Sequence, residues 1–306
     1  MFEQLGFARH SIQTSLGEMT YVSNQNSFWN HGEEKRGPLP DLVFLHGFGG
    51  GSSAYEWSKV YPAFADEYRI LAPDLIGWGN SAHPIRDYKI EDYLTTITEF
   101  LQKSCDGPTT VIASSLTAAF LIRIAITHPD LFNALILVAP AGLKDFDDYY
   151  SNPLFTEILK TPILDRVLYQ TAVANEVAIR FFLEQQQFAN PKRIYTELVD
   201  AYLESAQKTN AEYSALAFVR GDLSFDLSQY IESLKTPTAI LWGECSKFTK
   251  PDIGRRLAEM NPLAIKFFKT IDHVGLTPQL EMPEVAISLI HSFLRRLQSF
   301  PTPNQD

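Results

Sequence analysis

Residues 109–120 read TTVIASSLTAAF, and the change of pattern inside this stretch decides the fold. TTVIAS is a continuous apolar run rich in β-branched residues, as expected of a strand covered on both faces. It passes directly into a helical pattern, so strand and helix meet at two serines. A serine displayed at such a junction needs a sharp, strained turn. Small neighbours two residues before and after keep that turn from clashing with itself. Centring the turn on Ser115 puts Ala113 and Thr117 at those places, whereas centring it on Ser114 puts Ile112 and Leu116 there. Ser115 is the better centre, although β-branched Thr117 crowds a site where glycine fits best. Taken alone, two serines before a helix also fit a simple cap.

Working outward, the same alternation of short strands and helices runs through the first 142 residues. Strands are predicted at Arg9–Thr14, Glu18–Ser23, Asp41–Gly47, Arg69–Leu75, Thr109–Ser115 and Asn133–Pro140, with helices at Tyr55–Tyr68 and Ile90–Lys103. This is the rhythm of an α/β protein. A polar connector holding Gly32 to Arg36 precedes the first core strand. From Leu143 to Glu232 the patterns are helical, and this segment holds 14 of the chain's 38 aromatic residues with 8 basic against 14 acidic residues. Aromatic enrichment without basic partners points to helix packing or an apolar pocket rather than to stacked bases. The α/β rhythm then resumes with Pro237–Gly243, a helix near Asp252–Met260, a strand at Ile265–Ile271 and a last helix from Pro283.

Composition narrows the function. With 26 Lys and Arg against 36 Asp and Glu, the net charge is −10, which argues against a general nucleic-acid or anionic-membrane surface. The most apolar stretch, Ala134–Leu143, is too short to span a bilayer, and the opening MFEQLGFARH lacks the apolar core of a secretory leader. Cys105 and Cys245 form no disulfide framework, so a reducing, cytoplasmic setting is expected. Neither metal-ligand spacing nor a cofactor motif is present, so no metal and no cofactor are expected.

Around the Ser115 turn the remaining motifs fall in a fixed order. They are HGFGGG at His46–Gly51, DLIGWGNS at Asp74–Ser81, PTAILWGE at Pro237–Glu244, and GLTPQLEMP at Gly275–Pro283. This order resembles the α/β-hydrolase superfamily, especially its capped esterase and epoxide-hydrolase-like branch, over nearly the whole chain. The resemblance implies an eight-stranded, mostly parallel sheet built from residues 1–142 and 233–306, with residues 143–232 inserted as a helical cap. It further implies that Ser115 is the nucleophile, and that the N–H groups of Phe48 and Leu116 form an oxyanion hole. A pocket for a small hydrophobic molecule would lie between cap and sheet.

Two positions depart from that family's pattern. The place of the catalytic acid holds Ser246, and the place of the histidine holds Leu276. Leucine takes no proton, and a serine hydroxyl without a base is a poor nucleophile at neutral pH. In related chemistry, losing the histidine alone costs on the order of a millionfold in turnover. Any hydrolysis therefore hangs on a replacement base, and His273, beside Asp272 and three residues before Leu276, is the candidate. His46 is expected to brace its turn, and His10, His31, His83, His128 and His291 are weaker candidates. The cluster Phe146, Asp147, Asp148, Tyr149 and Tyr150 could touch a ligand or form a solvated acidic turn. Two readings follow: a serine hydrolase of a small apolar ester or related acyl compound using Ser115 and His273, or a hydrolase-shaped protein that binds such a molecule without turnover.

Overall fold

The apolar runs of the sequence can be satisfied only if both faces of their strands are covered, and the computed structural model shows how that is done. It describes residues 4–29, 38–142, 169, 171, 173–247 and 249–300. Eight strands form one sheet: β1 (Phe7–Thr14), β2 (Gly17–Asn24), β3 (Asp41–Leu45), β4 (Arg69–Pro73), β5 (Thr109–Ser114), β6 (Phe132–Val138), β7 (Thr238–Gly243) and β8 (Ile265–Ile271). Their order across the sheet is β1-β2-β4-β3-β5-β6-β7-β8. The β1–β2 and β2–β4 pairings are antiparallel, and every pairing from β4 to β8 is parallel. The expected eight-stranded, mostly parallel α/β architecture is thus what forms.

Helices α1 (Ile90–Ser104), α2 (Ser115–Thr127), α3 (Glu176–Phe182), α4 (Thr196–Ala206), α5 (Ala211–Val219), α6 (Pro251–Met260) and α7 (Pro283–Leu297) accompany the sheet. Of these, α3 to α5 belong to the segment between β6 and β7. Strands β3, β5, β6 and β7 are buried almost throughout, and α2 is buried along nine of its thirteen residues, which places it inside the molecule. All parallel strands run the same way, so the loops that follow β3, β5, β6, β7 and β8 share the carboxyl edge.

The helix predicted over Tyr55–Tyr68 does not form as one element. Two separate 3₁₀ turns, Ala54–Trp57 and Tyr61–Phe64, take its place. Pro62 is the physical reason: it has no N–H to donate to a helix already under way, but it fits the opening turn of a new one. The connector Gly32–Arg36, His31 and the Phe146–Tyr150 cluster lie outside the described residues. Among the described residues no helix is long and apolar enough to cross a membrane.

Candidate functional site

Ser115 is the hinge between β5 and α2. Its φ of +55° puts a non-glycine residue in the left-handed region, at a cost of roughly 1–2 kcal/mol. Two further non-glycine residues share that conformation at the same edge: Ala139 after β6 (φ +45°) and His273 after β8 (φ +58°). The elbow is held by Ala141, whose N–H donates to the Ser115 carbonyl at 3.2 Å. Ser115 itself is half-buried.

The loop after β3 is locked from several sides. Leu75 N–H donates to His46 Nε2 at 3.0 Å, so the proton of the neutral ring sits on Nδ1, which donates to the Gly47 carbonyl at 2.7 Å. Both ring nitrogens are therefore engaged, and His46 braces the turn. Thr117, whose branched side chain crowds the elbow on sequence grounds, donates its hydroxyl to the His46 carbonyl at 2.6 Å. Gly47 passes so close to the elbow that a Cβ there would lie 2.9 Å from Ser114 Oγ and 3.1 Å from Ser115 Cβ. Next to it, the N–H groups of Phe48 and Leu116 carry no hydrogen bond among the described residues. The Phe48 ring is packed by Trp78, Tyr93, Phe120 and Phe218, with centroids 4.8–5.9 Å away.

Beneath the elbow lies a buried carboxylate that sequence reading did not single out. Glu56, 2 % exposed, accepts from Gly47 N–H at 3.0 Å through Oε2. Its Oε1 accepts from the Ser114 hydroxyl and from Gln279 Nε2, the latter at 2.7 Å. One side chain thus ties together the loop after β3, the residue before the elbow and the turn that follows Leu276. Its only sequence signal is a lone acid inside the apolar stretch AYEW.

The two positions at which the sequence departs from the resembled pattern are both closed to solvent. Ser246 is buried and its hydroxyl has no partner among the described residues. Leu276 is also buried, and its N–H donates to the Gln187 carbonyl at 2.7 Å. Gln187 ends a π-helical turn, Leu183–Gln187, directly after α3. Glu281 reinforces the same seam, accepting from Gly275 N–H (2.7 Å), Ala189 N–H (3.0 Å), Asn190 N–H (2.8 Å) and Arg193 Nη1 (3.3 Å).

His273 is exposed on the turn after β8, where its carbonyl accepts from Arg193 Nη1 at 3.3 Å. No hydrogen bond joins its ring to Ser115 among the described residues, nor to the exposed Asp272 and Glu244 nearby. Glu244 instead pairs with Arg255 at 3.6 Å. Of the other described histidines, His83 bonds the Ser81 carbonyl through Nδ1, while His10 and His291 stack on Tyr21 and Phe64. Among the described residues no group of three or more His, Cys, Asp or Glu could hold a metal ion.

Comparison with known proteins bears on the fold and the family. The chain is 24% identical over 260 residues, 83% of its own length and 84% of the relative's, to 2-hydroxy-6-oxo-6-(2'-aminophenyl)hexa-2,4-dienoic acid hydrolase of Metapseudomonas resinovorans. It is 26% identical over 306 residues to human epoxide hydrolase 4, covering 92% of this chain and 80% of that one. Among solved structures, the serine hydrolase of carbazole degradation, the CarC enzyme, superimposes with a TM-score of 0.74 at 19% identity, over 95% of this chain and 99% of the other. Residues 40–283 match the family model of the alpha/beta hydrolase fold, and the chain belongs to that family.

Proposed function

We propose that this protein keeps the ligand-holding half of a serine hydrolase. In this reading it takes a small, largely apolar acyl or ester-like molecule above Ser115 and does not turn it over by triad chemistry. Residues 143–232 act as a cap on a core made of residues 1–142 and 233–306. The unengaged amides of Phe48 and Leu116 receive the ligand's carbonyl oxygen. The aromatic packing around Phe48 makes this an apolar setting. One observation carries the reading: no described histidine hydrogen-bonds Ser115, and the family's histidine position is the buried Leu276. Without a base, the hydroxyl can accept a hydrogen bond from a ligand but cannot lose its proton to attack one.

A second reading, hydrolysis of such an ester with His273 as displaced base, is favoured by one feature. Ser115 retains its strained left-handed backbone, which a pure binding protein has no need to keep. The two are separated with p-nitrophenyl butyrate and a fluorophosphonate probe. The binding reading expects no labelling at Ser115 and background hydrolysis unchanged by Ser115→Ala. It also expects Leu276→His combined with Ser246→Asp to raise turnover. Ester hydrolysis abolished by Ser115→Ala, by His273→Ala and by His273→Gln, but not by His46→Ala, would overturn it in favour of the second.

A further inference from the structure

A cavity of about 540 Å³ lies away from the Ser115 site, and none of Ser115, Phe48 or Leu116 lines it. Its floor is β2 and β4, through Thr20, Tyr21 and Ala72. One wall is the 3₁₀ region from Ser53 to Tyr61, and the opposite wall is α4, through Glu197, Ala201 and Ser205. We propose that this cavity is a second binding site, for a neutral polyhydroxylated small molecule of the sugar or polyol class.

The charges of the lining cancel and are already engaged. Arg9, Lys59 and Lys208 face Asp74, Glu197 and Glu204. Lys59 pairs with Glu197 at 3.2 Å, and Tyr55 donates to the same carboxylate at 2.7 Å. Lys208 pairs with Glu204 at 3.4 Å. Asp74 accepts from Ala54 N–H and Asn80 N–H, each at 2.7 Å, and from Asn80 Nδ2 at 3.2 Å. An ionic ligand would therefore have to break existing pairs, and a net-neutral lining offers it no compensating field.

What the lining has in surplus is uncharged hydrogen-bonding capacity. Ser53 and Tyr61 are 8% and 3% exposed, and neither hydroxyl has a hydrogen-bond partner among the described residues. Burial, with the nearby Asp74 charge second, holds the Tyr61 phenol above its ordinary range, so it stays a donor at every physiological pH. The Thr20 and Ser58 hydroxyls, sealed deeper in the same lining, also lack partners. A hydroxyl both donates and accepts, so a hydroxylated ligand can use both capacities of each one without bringing a charge into a lining whose charges are already paired. Beside these groups, Leu5, Tyr21, Ala54 and Ala72 offer apolar surface for the C–H faces of such a molecule.

The cavity is also preformed. Ser205 on α4 donates to the Ser52 carbonyl at 3.0 Å and accepts from Gly79 N–H at 3.2 Å, which pins the two walls together. Little ordering remains to be done on binding.

The test is isothermal titration calorimetry of the full chain with glucose, sucrose and trehalose, using inorganic phosphate and glycine as charged comparators. Saturable binding of at least one of the sugars is expected. It should weaken about threefold to tenfold in Tyr61→Phe and in Ser53→Ala, the loss set by one neutral hydrogen bond each. Ala201→Leu, which fills the cavity from α4, should abolish binding. Hydrogen exchange should slow in residues 20–22 and 196–206 and stay unchanged around Ser115. No heat with any of the three sugars, equal affinity in Tyr61→Phe, or preferential binding of phosphate or glycine would each overturn the assignment.

Discussion

Replacing Glu56 by alanine removes an acceptor shared by three donors that come from three separate parts of the chain. Gly47 N–H, the Ser114 hydroxyl and Gln279 Nε2 are all buried in the native protein. A buried donor left unmade costs about 1–3 kcal/mol. The Ser114 hydroxyl can turn to another acceptor, so two donors set the main loss. Adding the cavity left by the side chain gives an expected destabilisation of about 3–5 kcal/mol. Glu56→Gln is the sharper comparison. Its amide can occupy the Oε1 position and, once the Gln279 amide turns over, donate to the Gln279 Oε1, which has no partner among the described residues, while its own oxygen still accepts from Gly47. That variant should lose only about 1–2 kcal/mol, the difference between charge-assisted and neutral bonds. Urea unfolding followed by circular dichroism measures both. An alanine variant within about 1 kcal/mol of the native protein, or a glutamine variant as unstable as the alanine one, would refute this account of the network.

Two further outcomes follow from titrating groups. Burial holds the His83 pKa below its ordinary value, outweighing the Ser81 carbonyl and Asp74 that act the other way. The unfolded chain then binds the proton more readily than the folded one. Stability should be independent of His83 above about pH 6.5 and should fall as the pH drops from there toward the folded pKa. His83→Gln should flatten that part of the curve of urea midpoint against pH, and an unchanged slope would sink the assignment. Burial, with the Asp41 charge adding to it, pushes the Cys105 thiol up to about 12, whereas Cys245 is exposed. At pH 8 the Cys105 thiolate is on the order of one part in ten thousand. Ellman's reagent should titrate one thiol quickly in the native protein and the second only in denaturant; two fast equivalents would contradict the burial argument.

The sheet could be read because its strands are covered on both faces, which writes them as unbroken apolar runs such as DLVFL and TAILWG. The elbow could be read for a related reason: only a strand ending directly at a helix, with small flanks, leaves a serine in that position. The helix expected over Tyr55–Tyr68 breaks into two turns because Pro62 brings no N–H to a helix already under way. Thr117 shows a different limit. Branching predicts crowding, yet the same branch supplies the hydroxyl that staples α2 to the loop after β3. Glu56 was illegible for the plainest reason: its partners are 9, 58 and 223 residues away, and no local pattern encodes such a meeting.

Strain at the carboxyl edge bears on why the elbow persists. Ser115, Ala139 and His273 each hold a left-handed backbone at the ends of three different parallel strands, a conformation that costs roughly 1–2 kcal/mol apiece for a residue with a Cβ. The price is met by the surroundings: Ala141 N–H on the Ser115 carbonyl, Leu241 carbonyl on Ala139 N–H, and Arg193 on the His273 carbonyl. Two of these partners come from the sheet side and the third from the helical segment between β6 and β7. Glu281 accepts from Ala189 N–H and Asn190 N–H across the same seam, and from Gly275 N–H within its own loop. The helical segment and the loop holding Leu276 are therefore fixed to one another independently of any catalytic hydrogen bond. The left-handed turn at Ser115 is thus held by backbone contacts that involve neither the Ser246 hydroxyl nor the Leu276 side chain.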